Sequence, residues 1–174
     1  MPEGAVVADS TVLIFLGKLR RLDWLRAAYE PVLIPTRVYE EVVVNGKELG
    51  ARDAVLVENA IDDGWIEVHE IDPREAIQKY DLEAGETEVL SLALAQEHDE
   101  ILVDEESVRD VAPLHGLRPR GTLYFLFTAV RDGELTFDEF LESLETLLEE
   151  GFYLDEAVYL EAIRKARQLA AEHE

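Results

Sequence analysis

Apolar and polar positions along the chain follow a repeating order. An apolar run at 5–8 stops at Asp9, and over 11–19 apolar residues recur at helical spacing with Leu13, Ile14 and Leu16 inward. The chain therefore opens as strand, polar cap and helix. A short helix is predicted over 22–29 and a second strand over 32–34, and Pro35 is a favourable first residue for a helix over 36–43. A helix over 52–62 is stopped by Gly64, after which Trp65, Ile66, Glu67, Val68 and His69 alternate as a half-exposed strand near a sheet edge does. Beyond a polar connector at 72–80, the helix over 86–97 carries apolar Val89, Leu90, Leu92, Ala93 and Leu94. A strand over 101–103 ends at Asp104, and a helix over 108–114 is closed by Gly116 as a left-handed cap. Gly121 and Thr122 open an apolar helix to 130, Thr136 and Glu139 form a capping box for a helix to 149, and Asp155 caps the last helix.

Strands alternating with helices require right-handed crossovers, which predicts an α/β fold with a mainly parallel sheet of four or five strands covered on both faces. Open sheets of this kind bind ligands at the carboxyl ends of their strands. A length of 174 residues suits one domain over 1–174, with 134–174 as C-terminal helices packed on it.

Composition narrows the chemistry. No apolar run reaches the roughly 18 residues of a membrane span, and Met1, Pro2, Glu3 and Gly4 lack the basic flank and apolar core of a secretion leader, so the expectation is a cytoplasmic protein with no membrane contact. With no cysteine, disulfides, zinc thiolates and thiol nucleophiles are excluded, and a metal must sit on oxygens or on the four histidines. The histidines show no metal-like spacing: His69 alternates in a strand, His98 and His115 sit near helix ends, and His173 is in the tail. Sixteen basic against 39 acidic residues leave a net charge of −23, which repels a polyanion at low salt. Only Lys18, Lys47, Lys79 and Lys165 are lysines, and acid-rich, lysine-poor composition reads as halophilic adaptation. At about 1 M salt the Debye length falls to about 3 Å, so surface repulsion is screened while a metal-filled site still attracts phosphate.

Asp9 and Asp104 end two of the predicted strands and can point into one crevice, although either would also serve as an ordinary helix cap. Glu41 lies in the helix after the second strand, and Glu86 and Glu88 lie in the first turn of the helix before Asp104. Among 39 acids most helical glutamates are solvated, and acids near a helix amino terminus are favoured electrostatically in any case. Convergent carboxylates in an apolar crevice nevertheless take up protons unless a cation neutralises them. All-oxygen ligation suits Mg²⁺ or Mn²⁺. Because Glu86 and Glu88 are roughly 200° apart around a helix, one is expected to face the crevice and the other solvent.

At these residues the sequence resembles the PIN-domain nucleases, which include the VapC toxins. The resemblance rests on Asp9-Ser10-Thr11 after the first strand, on Val38-Tyr39-Glu40-Glu41-Val42 after the second, on Glu88 opening a helix that carries Ala93 and Ala95, and on Asp104 ending a strand. Many of the toxins carry aspartate in the third place, where this chain offers Glu86 and Glu88. The glutamate pair, Gly121-Thr122 and the tail Gly151-Phe152-Tyr153-Leu154-Asp155 resemble an uncharacterised, PilT-like branch. The resemblance implies a three-layer α/β/α PIN-like fold and an Mg²⁺- or Mn²⁺-dependent endoribonuclease. It assigns catalysis and metal binding to Asp9, Glu41, Glu88 and Asp104, with Glu86 as a further ligand.

For the RNA substrate, Thr11, Arg118, Arg120 and Thr122 are the candidate contacts; for Arg118 and Arg120, pairing with neighbouring acids is the competing role. The apolar helix from Leu123 to Val130 is expected to be core, with a homodimer face as the other reading. As a toxin, the chain would be restrained by a small antitoxin protein. The alternative function is a catalytically inactive PIN-fold module that binds nucleic acid or protein.

Overall fold

The β-branched apolar runs become the centre of a sheet in the computed structural model, which describes residues 3–173. Met1 and Pro2, half of the start read above as lacking a leader, and Glu174, the end of the expected domain span, lie outside the described residues. The chain forms two compact units, one ending at Gly121 and one beginning at Thr122.

In the first unit β1 (Val6–Ala8) leads into α1 (Ser10–Lys18) and α2 (Asp23–Ala28). Next come β2 (Val32–Pro35), α3 (Thr36–Tyr39), a π-helical turn (Glu40–Val44) and α4 (Asn45–Glu48). They are followed by α5 (Arg52–Asp62), β3 (Ile66–His69), α6 (Glu75–Gln78), α7 (Ala84–Ala95), β4 (Glu100–Leu102), α8 (Glu106–Val111), a 3-10 turn (Ala112–His115) and β5 (Arg118–Arg120). The five strands are all parallel in the order β3-β2-β1-β4-β5, with helices on both faces as a three-layer α/β/α fold. Val6, Val7, Val32, Ile34, Ile101 and Leu102 are fully buried, as central parallel strands covered on both faces must be. On the edge, β3 is half-exposed as expected, but the alternation fails at Val68: Ile66 is buried, whereas Glu67 and Val68 are both exposed.

Three other local expectations change. In α1, Val12 is buried with Leu13 and Leu16, whereas Ile14 is only half-buried. The helix after β2 continues to Glu48 through the π-helical turn instead of ending at 43. Helix α7 begins at Ala84, because Glu83 and Glu86 form a capping box that places the start ahead of Glu86, and it ends at Ala95.

In the second unit, α9 (Thr122–Arg131), α10 (Phe137–Glu149) and α11 (Glu156–Ala171) follow in turn. Phe125, Leu126, Ala129 and Val130 of α9 are buried, and the Phe127 ring stacks on Phe140 with centroids 5.6 Å apart. Both predicted caps form: Glu139 N donates to Thr136 Oγ1 at 3.1 Å, and Val158 N donates to Asp155 Oδ1 at 2.8 Å. No helix among the described residues is long and apolar enough to cross a membrane.

Candidate active site

The strand order creates the crevice. From β1 the chain moves outward through β2 and β3, then returns to the other side of β1 to lay down β4 and β5. The connections leaving β1 and β4 therefore diverge, and the gap outside the carboxyl ends of these two strands is the switch point at which doubly wound sheets bind ligands. Asp9 follows β1 there, with its N–H donating to Leu102 O of β4 at 2.8 Å. Asp104 lies just past β4.

Asp9 is 2% exposed, and its Oδ1 accepts from Ser10 N at 2.8 Å as the cap of α1. Burial, followed by the negative charges of Glu86, Glu41 and Asp104, pushes its carboxyl up to about 7 against the opposing pull of the Ser10 N–H. Four carboxylates from four separate stretches of sequence thus share one electrostatic neighbourhood. The capping role weighed for Asp9 and its place in the cluster are both present.

Two glycines let the carboxylates settle against bare backbone. A Cβ at Gly85 would lie 2.7 Å from Glu41 Oε1 and 3.5 Å from Arg37 Cγ. One at Gly121 would lie 2.7 Å from Asp104 Oδ1 and 3.2 Å from Arg109 Nη1. Arg109 Nη1 also donates to Val103 O at 3.1 Å, bracing the turn that carries Asp104. Glu41 belongs to the π-helical turn, an irregularity frequent at functional sites.

The two glutamates of α7 divide. Glu86, at the third position of the helix, is buried, and its Oε1 accepts from Glu83 N at 2.9 Å. Burial raises its carboxyl, with Glu83, Glu105 and Glu41 adding to the rise and the Glu83 N–H opposing it. Of the pair, Glu86 is the one whose charge reaches Asp9. Glu88, the residue the motif selects, turns instead to Arg37, Oε2 to Nε 3.5 Å. Nor does it face solvent, being 14% exposed. Roughly 200° of helix rotation separates the two roles.

Of the candidate substrate contacts, Thr11 has a buried Oγ1 with no hydrogen-bond partner among the described residues. An unsatisfied buried hydroxyl costs about 1–3 kcal/mol, so this atom suits a ligand oxygen. Arg120 Nε lies 2.9 Å and Arg118 Nη2 3.6 Å from Glu100 Oε1, so the pairing with local acid weighed for them is realised. Thr122 is buried at the start of α9 in the second unit. Among the histidines, His69 pairs with Glu67 and His115 shares a hydrogen bond with the Tyr80 hydroxyl. Arg37, Arg109 and Gly85 were not singled out from the sequence, and Gly121 was taken only as a helix start and part of the PilT-like likeness; the four-residue spacing of Arg37 and Glu41 was the available signal.

Among the described residues no three acidic or histidine side chains already stand as a chelating group. Mg²⁺ does not require one, since it commonly binds through one or two carboxylates and retains several waters. The donor set fits such an ion: all oxygen, net negative, buried at Asp9, with an orphaned hydroxyl two residues away.

No match to the sequence is found among curated proteins. A family model described as a PIN domain matches residues 5–168, and PIN domains are generally nucleases. Together with the five-stranded parallel sheet and its acidic switch point, a match over nearly the whole length places the chain in the PIN-domain family.

Proposed function

We propose that the protein is an Mg²⁺- or Mn²⁺-dependent ribonuclease that hydrolyses RNA phosphodiesters at the β1/β4 crevice, with Asp9, Glu41, Glu86 and Asp104 as the acids that hold the ion. The observation that carries this reading is the buried Asp9 carboxyl, pushed up to about 7 in the company of three other acids. Such a group is about half protonated at neutrality, and a cation in the proton's place would hold it ionised. A bound divalent ion supplies the charge that acidifies a water and steadies the leaving oxygen.

The chain's own residues do the rest. Asp9 and Asp104, which follow adjacent strands, would hold the ion, and Glu41 and Glu86 would add negative charge to it from two helices. Glu86 Oε1 is engaged by Glu83 N, which leaves Oε2 to take a proton from the water that attacks phosphorus. Thr11 Oγ1 donates to a phosphate oxygen and is thereby satisfied. The charge of −23 is read as high-salt adaptation, which lets RNA approach an acidic surface.

The test is cleavage of single-stranded RNA at about 1 M salt with Mg²⁺, with Mn²⁺, and with chelator. Metal-dependent cleavage that chelator abolishes is expected; cleavage indifferent to chelator refutes the mechanism. The lack of a preassembled chelating group is what an inactive binding module of this fold would also show. An RNA-binding wild type that never cleaves would put that second reading ahead.

A further inference from the structure

Glu88 is left over by the site described above, and the cation it holds is the informative part. Arg37 and Glu41 are four apart on one helical stretch, a spacing at which arginine and glutamate ordinarily pair. Here they lie side by side over Gly85, the Arg37 stem and the Glu41 carboxylate both touching the space a Cβ would fill. Yet Arg37 extends to Glu88 of α7, which is its one ionic partner among the described residues. The Arg37 guanidinium thus pairs with Glu88, with no ion pair to Glu41 among the described residues, and stands beside the acidic crevice. The Arg37 side chain is 50% exposed while Glu88 is 14% exposed, so the anchor is covered and the cation accessible. A guanidinium whose Nε alone lies near a carboxylate, at 3.5 Å, keeps its terminal N–H donors for a phosphate.

We propose that Arg37, held in place by Glu88, binds an RNA backbone phosphate adjacent to the one being cleaved, so that Glu88 is a positioning residue and not a metal ligand. The proposal rests on the nuclease reading above. On a chain of net charge −23, a cation beside the metal site gives the polyanion a point of attachment that fixes its register across β2, β1 and β4.

The test uses the full chain with single-stranded RNA and Mn²⁺. Arg37→Gln is expected to raise KM roughly tenfold with kcat nearly unchanged. It should also flatten the slope of log KM against log salt by about 0.7, the share of one phosphate contact on a single strand. Arg37→Lys should keep the slope. Glu88→Gln should raise KM while calorimetric Mn²⁺ affinity stays at the wild-type value, in contrast to Glu86→Gln. An unchanged KM and slope for Arg37→Gln in a cleaving enzyme overturns the arginine's role and leaves the nuclease reading standing. Loss of Mn²⁺ affinity in Glu88→Gln overturns the positioning role by making Glu88 a ligand. If the wild type does not cleave, the nuclease reading fails, and RNA binding by fluorescence anisotropy decides the arginine separately. A roughly tenfold weaker affinity of Asp9→Asn/Arg37→Gln than of Asp9→Asn sustains it, and equal affinities remove it.

Discussion

Asp53 and Asp9 are both buried acids of the first unit, 5% and 2% exposed, and their surroundings are opposite in sign. Asp53 on α5 receives Lys18 Nζ at 3.2 Å from α1, and the two helices approach so closely that a Cβ at Gly17 would lie 2.7 Å from Asp53 Cβ. Buried Glu100 is handled in the same way, by Arg118 and Arg120. At Asp9 the charges that act on the carboxyl are three more acids. Burial alone therefore does not mark a site in this fold. What separates a structural acid from one that calls for an outside cation is the sign of its partners.

The sharpest way to break this contrast is substitution to the isosteric amide. Asp9→Asn and Asp104→Asn are each expected to lower RNA cleavage more than about a hundredfold, beyond the 10–100-fold typical of residues that merely support a metal ligand. Asp53→Asn should leave kcat within a small factor of wild type. Cleavage kinetics at saturating metal decide it, and equal losses for Asp53→Asn and Asp9→Asn would erase the distinction. Next in size is stability. Lys18→Met leaves Asp53 buried without its cation and is expected to cost about 1–3 kcal/mol in urea unfolding, the low end for such pairs because Lys18 is partly exposed. Asp9→Asn, measured without metal, should cost nothing or stabilise, because it relieves repulsion and asparagine caps a helix about as well as aspartate.

The third effect follows from the sign of the Asp9 shift. Its folded-state carboxyl is raised from 3.8 to about 7, so the folded chain binds more protons than the unfolded one between those values. Its contribution is intact below about pH 4 and is lost as pH rises to about 7. Metal-free melting curves should show Asp9→Asn gaining on wild type across that window, with the gap constant above it. A gap that does not change with pH would remove the acidic crowding from the comparison. The smallest expected effect is general. Melting temperature should rise as salt goes from about 0.1 M to about 1 M, where screening shortens from about 10 Å to about 3 Å. Equal melting temperatures would end the halophile reading and restore the repulsion of RNA as an objection.

The central sheet was legible because Val6-Val7-Ala8, Val32-Leu33-Ile34 and Ile101-Leu102-Val103 are short apolar runs that stop at Asp9, Pro35 and Asp104, and burial on both faces leaves such runs few alternatives. Strand β5 is Arg-Pro-Arg, which carries no apolar signature; it exists because Glu100 and Leu102 of β4 pair with Arg118 and Arg120, a contact no local window contains. Asp9 and Asp104 could be placed from strand ends alone. The choice between Glu86 and Glu88 could not, since it turns on where α7 starts, and that start is set by the Glu83–Glu86 capping box. The roles of Gly85 and Gly121 were hidden for a similar reason: what each accommodates comes from a distant segment.

The widened turn at Glu40–Val44 has a genetic consequence. A π-helical turn is a regular helix carrying one additional residue, so it differs from its neighbours by an insertion and not by a substitution. Removing a single codon within 42–44 would restore ordinary helical winding and turn α4 by about 100° relative to Glu41. A scan that exchanges side chains one at a time never samples that change, and an in-frame deletion library does.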